Sequence, residues 1–191
     1  MKYYIGVDGG GTKTAFALFD ENKNIIAENE TEGSNHENME GSFPQAAGII
    51  ADGVKGLVEK AGITLSDVSG MLMGLAGIDH PYQHDAMQEE LGKLGITGAR
   101  IYNDGFIVIK AGVGSGAGIG YNCGTGTCCN SLDSDGNMLQ IGGFDVLSGD
   151  KGVHRKQSKR SVVKTNSCLI SRVQQFVSLV RVRLTQELIV Q

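Results

Sequence analysis

The chain has 191 residues, of which 40% are hydrophobic, with no tryptophan, two prolines and a formal net charge of −4. This length allows one well-packed domain or two very small ones, and the composition is typical of a soluble globular protein. No apolar run approaches the roughly 20 residues of a membrane-spanning helix, and the N-terminus lacks the order of a secretory signal. The sequence therefore predicts a cytoplasmic protein without membrane contact.

The charge is distributed unevenly along the chain. Residues 1–152 contain 9 Lys and Arg against 20 Asp and Glu, whereas residues 153–191 contain 8 against 1. All 29 glycines lie in the first of these two stretches. Such asymmetry occurs in proteins with a basic arm for nucleic acid, and equally where two unrelated stretches of sequence adjoin.

The chain begins with three short apolar runs, at residues 3–8, 14–19 and 25–31. The loops between them, GGGTK and DENKN, favour consecutive antiparallel strands. Apolar residues at helical spacing then predict a helix that begins at Phe43 and ends near Gly62.

The next segments alternate between strand and helix. Residues 68–75 and 99–103 are predicted strands, residues 82–94 form a predicted helix between them, and a shorter helix follows at 106–113. The order β-β-β-α-β-α-β predicts an α/β protein with a mixed sheet. Residues 117–123 and 127–133 predict a new pair of strands, followed by a turn at SDG. A glycine loop within each hairpin suggests two related halves facing one cleft.

The loop DGGGTKT, residues 8–14, has the composition of a phosphate-binding loop. Its glycine amides are unobstructed by side chains and are flanked by hydroxyls, a lysine and a carboxylate. An ordinary hairpin turn is the alternative, but the combination of residue types favours phosphate. Mg²⁺ prefers few carboxylates together with phosphate oxygens, so Asp8 is a candidate metal residue, directly or through water.

Three further stretches carry candidate chemistry. GTGT, residues 124–127, is a smaller loop of the same kind, suited to the other side of a triphosphate. Asp104 directly follows a predicted strand, where a carboxylate opens into a cleft and can accept the proton of an attacking hydroxyl. Capping of the next helix explains Asp104 equally well. GSNH, residues 33–36, offers polar groups suited to sugar hydroxyls.

Six motifs occur in one order within residues 2–152: GVDGGGTKT, SNH, GLAGID, the triplet Asn103-Asp104-Gly105, CGTGT, and GG followed by GDKG. As an ordered set they resemble the N-terminal half of the BadF/BadG/BcrA/BcrD-type ATPase family, and within it the N-acetylglucosamine kinases. The resemblance implies the actin-like ATPase fold of sugar kinases, Hsp70 and actin, which is ribonuclease H-like. It also implies ATP and Mg²⁺ as cofactors and an amino sugar such as N-acetylglucosamine as substrate.

The resemblance also implies a role for each matched position. The positions that bind ATP phosphates and Mg²⁺ are Asp8, Gly10, Gly11, Thr12 and Lys13, with Thr125, Gly126 and Thr127 opposite them. The positions that contact the sugar are Asn35, His36, Gly77 and Asp150. Asp104 becomes the base for the sugar hydroxyl. The redox-activator branch of the family carries iron–sulfur cysteines, but Cys128 and Cys129 lie inside the segment of the second glycine loop, which favours the kinase branch.

The sequence departs from the family at two places. Lys151 stands where these kinases usually have Glu in GDEG, which changes the charge beside Asp150. After residue 152 the resemblance ends. We therefore expect an N-terminal ATPase domain at 1–113, the start of a second domain at 114–152, and a basic tail at 153–191 that is not native to the family. A kinase of this type needs a C-terminal domain, so we expect this chain alone to be weakly active or inactive.

A second hypothesis is a non-catalytic nucleotide- or sugar-binding protein, such as a sensor, whose basic tail contacts DNA or RNA. The tail lacks a helix-turn-helix pattern and an aromatic platform, which makes nucleic acid the weaker interpretation. The sequence leaves open whether two chains form a homodimer.

Overall fold

The computed structural model describes residues 1–113, 116–123 and 127–142. Eight strands and three α-helices occur in these ranges, with short 3₁₀ turns at His36–Asn38 and Leu65–Asp67. In chain order the elements are β1 Tyr3–Gly9, β2 Lys13–Asp20, β3 Ile25–Glu32, α1 Ser42–Lys60, β4 Val68–Leu75, α2 Pro81–Lys93, β5 Ala99–Asn103, α3 Asp104–Val113, β6 Gly118–Cys123, β7 Thr127–Leu132 and β8 Met138–Gly142. The predicted order of strands and helices is confirmed.

The first five strands form one mixed sheet in the order β3-β2-β1-β4-β5. β1 is antiparallel to β2 and parallel to β4, and β4 is parallel to β5. α1 and α2 are the crossovers that the two parallel connections require. The α/β class and the mixed sheet predicted from the sequence are therefore confirmed.

The core lies between this sheet and α1. Of the apolar positions that predicted the helix, Phe43 is half-buried and the others are buried: Ala46, Ala47, Ile50, Val54, Leu57 and Val58. They pack with fully buried strand residues such as Ile5, Leu18 and Met73. Burying one such large aliphatic side chain contributes about 1.5–3 kcal/mol, so this layer supplies much of the stability of the domain.

Gly53 allows α1 to approach the sheet closely. A Cβ atom built on Gly53 would overlap the ring of Phe16 in β2. Phe16 is itself buried, so its ring cannot move into open space. The helix therefore carries glycine here in spite of the low helix propensity of that residue.

The remaining strands form a second, antiparallel sheet in the order β6-β7-β8. α3 packs on it so closely that a Cβ on Gly120 would lie 2.7 Å from Ile109 Cγ1. The turn between β7 and β8 repeats the turn between β2 and β3. In each turn an aspartate, Asp20 or Asp133, accepts hydrogen bonds from the backbone N–H groups two and four residues later and from an asparagine side chain.

None of the helices in the described ranges combines the length and apolarity needed to span a bilayer.

Candidate functional site

The carboxyl ends of β1, β4 and β5 meet at one edge of the first sheet. In the strand register, Gly9 lies opposite Leu75, and Leu75 lies opposite Asn103. The segments that follow these strands are the glycine loop, the loop that contains Gly77, and Asp104. Ligands of open α/β sheets bind beyond the carboxyl ends of the strands, so this edge is the candidate site.

The glycine loop is a tight turn that is stabilised by backbone hydrogen bonds of Gly10. Gly10 N–H donates to the Lys13 carbonyl at 3.0 Å, and Ser34 N–H donates to the Gly10 carbonyl at 3.0 Å. The buried hydroxyl of Thr14 donates to that of Ser34 at 2.8 Å. These bonds fix the loop while Gly11 and Thr12 stay exposed, as anion recognition by backbone amides requires.

Asn35, His36 and Gly77 lie together, as the sequence-based assignment of all three to one sugar site requires. Gly77 has a φ of +80°, and a Cβ on it would lie 2.5 Å from Asn35 Oδ1 and 3.2 Å from His36 Nδ1. The Asn35 carboxamide oxygen also accepts the Glu37 N–H at 3.0 Å, which starts the 3₁₀ turn. The glycine is needed both for its conformation and for the close approach.

His36 is a buried, stacked imidazole. Its ring lies 3.9 Å from that of Phe43, nearly parallel to it, and only 6% of the residue is exposed. Burial lowers the pKa of His36 below its usual value, although the negative charges of Glu37 and Asp79 oppose this effect. Nδ1 is buried and has no hydrogen-bond partner in the described part of the chain. The ring is therefore neutral near pH 7, and its Nδ1 is a buried polar atom whose hydrogen-bonding capacity the described residues leave unused.

Asp104 is the first residue of α3 and is partly buried. Burial raises the pKa of its carboxyl to about 6, and the negative charges of Asp8 and Asp79 add to this, against the effect of the Gly105 N–H group that it accepts at 2.8 Å. A carboxylate with a pKa close to neutrality is a better proton acceptor than an ordinary aspartate and is still ionised at pH 7. The charge of Asp8 acts on the carboxyl of Asp104, so the start of the glycine loop and the candidate base belong to one site.

A second pair of side chains, not predicted from the sequence, lies at this edge. Asn103 Nδ2 donates to Asp79 Oδ1 at 2.7 Å, and Asn103 Oδ1 accepts the Gly105 N–H at 2.8 Å. Asn103 thus caps α3, the role considered above for Asp104. Asp79 belongs to the GLAGID motif and Asn103 to the triplet around the base, so the motifs contained both residues, but only tertiary structure joins them.

The first turn of α3 also packs closely against the second sheet. A Cβ on Gly105 would overlap the carboxamide of Asn130, a residue of β7 that is only 1% exposed. Asn130 Nδ2 donates to Cys128 Sγ at 3.3 Å. The backbone next to Asp104 is therefore fixed from both sheets, and no side chain fits at position 105.

The positions of the other predicted site residues add little to the description of the site. Lys13 Nζ forms an exposed ion pair with Glu30 Oε2 at 2.6 Å. Thr127 is the first residue of β7. Thr125, Gly126 and Asp150 lie outside the described residues, as does the basic tail at 153–191 on which the nucleic-acid alternative depends.

A metal at this edge would need oxygen ligands beyond the described carboxylates. In residues 1–113, 116–123 and 127–142, no three His, Cys, Asp or Glu side chains converge to form a metal centre. A single carboxylate such as that of Asp8 is nevertheless sufficient for Mg²⁺ that is carried by phosphate oxygens. A cation there would also offset the repulsion between Asp8 and Asp104. The donor set fits Mg²⁺ bound together with a nucleotide.

Comparison with known proteins gives a consistent result. Residues 5–160 match the model of the BadF/BadG/BcrA/BcrD ATPase family. The N-acetylmuramic acid/N-acetylglucosamine kinase of Clostridium acetobutylicum is 28% identical over 153 residues, which are 80% of this chain and 49% of that protein. The N-acetyl-D-glucosamine kinase of Dictyostelium discoideum is 28% identical over 161 residues, 78% of this chain and 49% of that one. The chain thus spans about half the length of these curated relatives.

Solved structures show the same fold. A structure from Chromobacterium violaceum, assigned as an N-acetylglucosamine kinase, matches with a TM-score of 0.62 at 23% identity, over 75% of this chain and 50% of the other. A ROK family glucokinase from Streptomyces griseus, in complex with glucose and AMPPNP, matches with a TM-score of 0.52 at 21% identity, over 73% and 46%. The α/β fold with its mixed sheet is that of sugar kinases of the actin-like ATPase class.

Proposed function

Because the chain belongs to the BadF/BadG/BcrA/BcrD ATPase family, we propose that its site is that of an ATP-dependent amino-sugar kinase acting on N-acetylglucosamine or a close relative. One observation carries the proposal: a glycine loop, a polar loop whose His36 Nδ1 has no hydrogen-bond partner among the described residues, and a carboxylate of raised pKa follow strands that end at one edge of the sheet. These are the three parts that a phosphoryl donor, an acceptor and a base require.

Asp104 acts as the general base in this proposal. Its carboxylate accepts the proton of the sugar hydroxyl, whose oxygen forms the new bond to the γ-phosphorus of ATP while the bond to the β,γ-bridging oxygen breaks. The products are the sugar phosphate, ADP and a protonated Asp104, which releases its proton to solvent. A pKa of about 6 suits both halves of this cycle near pH 7.

The phosphate side is assigned to the first glycine loop. Gly10, Gly11 and Thr12 line the phosphates, with the exposed Gly11 and Thr12 amides as donors because the Gly10 N–H already donates to the Lys13 carbonyl. Lys13 adds a positive charge, and Asp8 holds Mg²⁺ directly or through water. Mg²⁺, when bound with ATP, offsets the charge that develops on the phosphate oxygens. Thr125, Gly126 and Thr127 are assigned to the opposite side of the phosphates.

The sugar side is assigned to Asn35, His36, Gly77 and Asp150. Asn35 offers an amide donor beside its capping oxygen, and His36 offers the unpartnered Nδ1. A cytoplasmic location remains a prediction made from the sequence, which leaves open whether two chains form a homodimer.

Calorimetric titration of the chain with N-acetylglucosamine, with glucose and with Mg·AMPPNP tests this assignment. Asn35→Ala removes the amide donor, and loss of one hydrogen bond should weaken N-acetylglucosamine binding about tenfold without changing nucleotide affinity. Asn35→Asp is the matched variant, because it keeps the oxygen that caps the 3₁₀ turn. Asp85→Asn, at an exposed carboxylate of α2, serves as the control.

Weaker sugar binding in both Asn35 variants, with N-acetylglucosamine preferred over glucose by the wild type, would support the assignment. Sugar binding that is unchanged in Asn35→Ala, or that does not distinguish the two sugars, would contradict it.

A further inference from the structure

The contact between Asp79 and Asn103 has no role in the phosphoryl transfer described above. We propose that these two side chains are positioning residues, which fix the carboxylate of Asp104 relative to the loop that carries Gly77. The proposal rests on the kinase function proposed above, and it assigns a function to a hydrogen-bonded pair that lies beside the base without taking the proton.

Asn103 is suited to this role because both ends of its carboxamide, the oxygen and the nitrogen, form a hydrogen bond within the protein. The residue is only 7% exposed, its oxygen accepts from Gly105 N–H, and its nitrogen donates to Asp79. An aspartate or serine would cap α3 equally well, but aspartate cannot donate and serine is too short for both bonds. Asparagine is therefore required by the second bond, the one to Asp79.

Hydrogen bonds to α2 fix Asp79, so that it can in turn fix the position of Asn103. Its backbone N–H and that of His80 both donate to Gln83 Oε1 at 2.8 Å, which ties this loop to the first turn of α2. Two residues earlier, Gly77 packs against Asn35 and His36. One continuous set of contacts therefore runs from the sugar loop through Gly77, Asp79 and Asn103 to the residue next to the base.

This connection predicts an effect on the chemical step more than on binding of the nucleotide. The base must stand at hydrogen-bond distance from the acceptor hydroxyl, and a displacement of about 1 Å can cost about 10²-fold in rate. The glycine loop takes no part in the Asp79–Asn103 contact. Loss of the pair should therefore lower kcat while KM for ATP stays the same.

Exchange of the two side chains provides a test by rescue. Asp79→Ala removes the acceptor, and Asn103→Asp keeps the capping oxygen but places a second carboxylate against Asp79. Each change should lower kcat about 10- to 100-fold. The double variant Asp79→Asn/Asn103→Asp restores the hydrogen bond with donor and acceptor exchanged, so it should recover at least tenfold over Asn103→Asp alone. Asp85→Asn, at an exposed carboxylate of α2, is the control for loss of one negative charge.

Hydrogen exchange of the Gly105 amide, followed by NMR in the full chain, gives a readout that does not require catalysis. The bonds from Gly105 N–H to Asn103 and Asp104 should protect this amide in the wild type and in the exchanged double variant. Protection should fall in Asp79→Ala, because Asn103 then loses the partner that fixes its carboxamide. Unchanged protection and unchanged kcat in Asp79→Ala would overturn the proposal, and so would a double variant no better than Asn103→Asp. Absence of phosphoryl transfer in the wild type, together with lost protection in Asp79→Ala, would contradict the kinase function and support the contact.

Discussion

The surroundings of Asp104 disfavour the ionised form of its carboxyl group. Burial and the charges of Asp8 and Asp79 raise the pKa of its carboxyl to about 6, from a usual value of 3.8. A carboxyl whose pKa is raised on folding contributes least to stability when it is ionised. The wild-type protein therefore loses stability at this residue as the pH rises from about 4 to about 6, and the loss is complete above that range.

Asp104→Asn should for this reason make the protein more stable at pH 7 to 8. The amide keeps an oxygen for the Gly105 N–H and removes the charge, so the gain in unfolding free energy is at most about 3 kcal/mol, from the size of the pKa shift. Urea unfolding from pH 4 to pH 8 measures it, with Asp85→Asn as the control. A variant that is less stable than the wild type at pH 8, or equally stabilised at pH 4, would contradict this account of the Asp104 environment.

At the scale of residues, the sequence identified candidate site residues where a single motif contains them. Asp8, Asn35, His36, Gly77 and Asp104 could be named because each belongs to a motif that resembles those of the family. The structure brings Asn35, His36 and Gly77 together. Asp79, Asn103 and Asn130 were not identified as functional. Their significance lies in contacts between residues 24 or more positions apart, which no local pattern encodes.

At the scale of elements, the periodicity of apolar residues predicted the helices and strands closely. The helix predicted from Phe43 is observed at Ser42–Lys60, and the strand predicted at 99–103 is observed with those bounds. α3 begins at Asp104, two residues before the predicted start, because the Asn103 side chain caps it. A cap formed by a residue that is also a strand end is not apparent from apolar spacing alone.

Gly53 gives a prediction that runs against helix propensity. Alanine is a better helix former than glycine by about 1 kcal/mol, yet Gly53→Ala should destabilise the protein by about 1–3 kcal/mol, because the added methyl group overlaps the buried Phe16 ring. Gly48→Ala in the same helix is the matched control, because no atom lies within 4 Å of its added Cβ, and it should stabilise by about 0.5–1 kcal/mol. Thermal unfolding of both variants measures the difference; equal shifts in Tm would show that α1 does not pack on Phe16 in this way.

At the scale of the whole molecule, the ordered set of motifs gave the family and the fold, and the α/β class with its mixed sheet was predictable from the alternation of elements. The sequence did not predict that β1, β4 and β5 end side by side, because strand register depends on pairing between distant segments. That register is what brings the glycine loop, the Gly77 loop and Asp104 to one edge.

Single-turnover transfer of a labelled γ-phosphoryl group from ATP to N-acetylglucosamine bears most directly on the kinase site. With protein in excess over ATP, the wild-type chain should form labelled sugar phosphate even if turnover is slow. Asp104→Asn should form it about 10²- to 10⁴-fold more slowly, the usual cost of losing a general base. Transfer at the wild-type rate by Asp104→Asn, or no labelled sugar from a wild-type chain that binds both ligands, would contradict the assignment of Asp104 as the base of a sugar kinase.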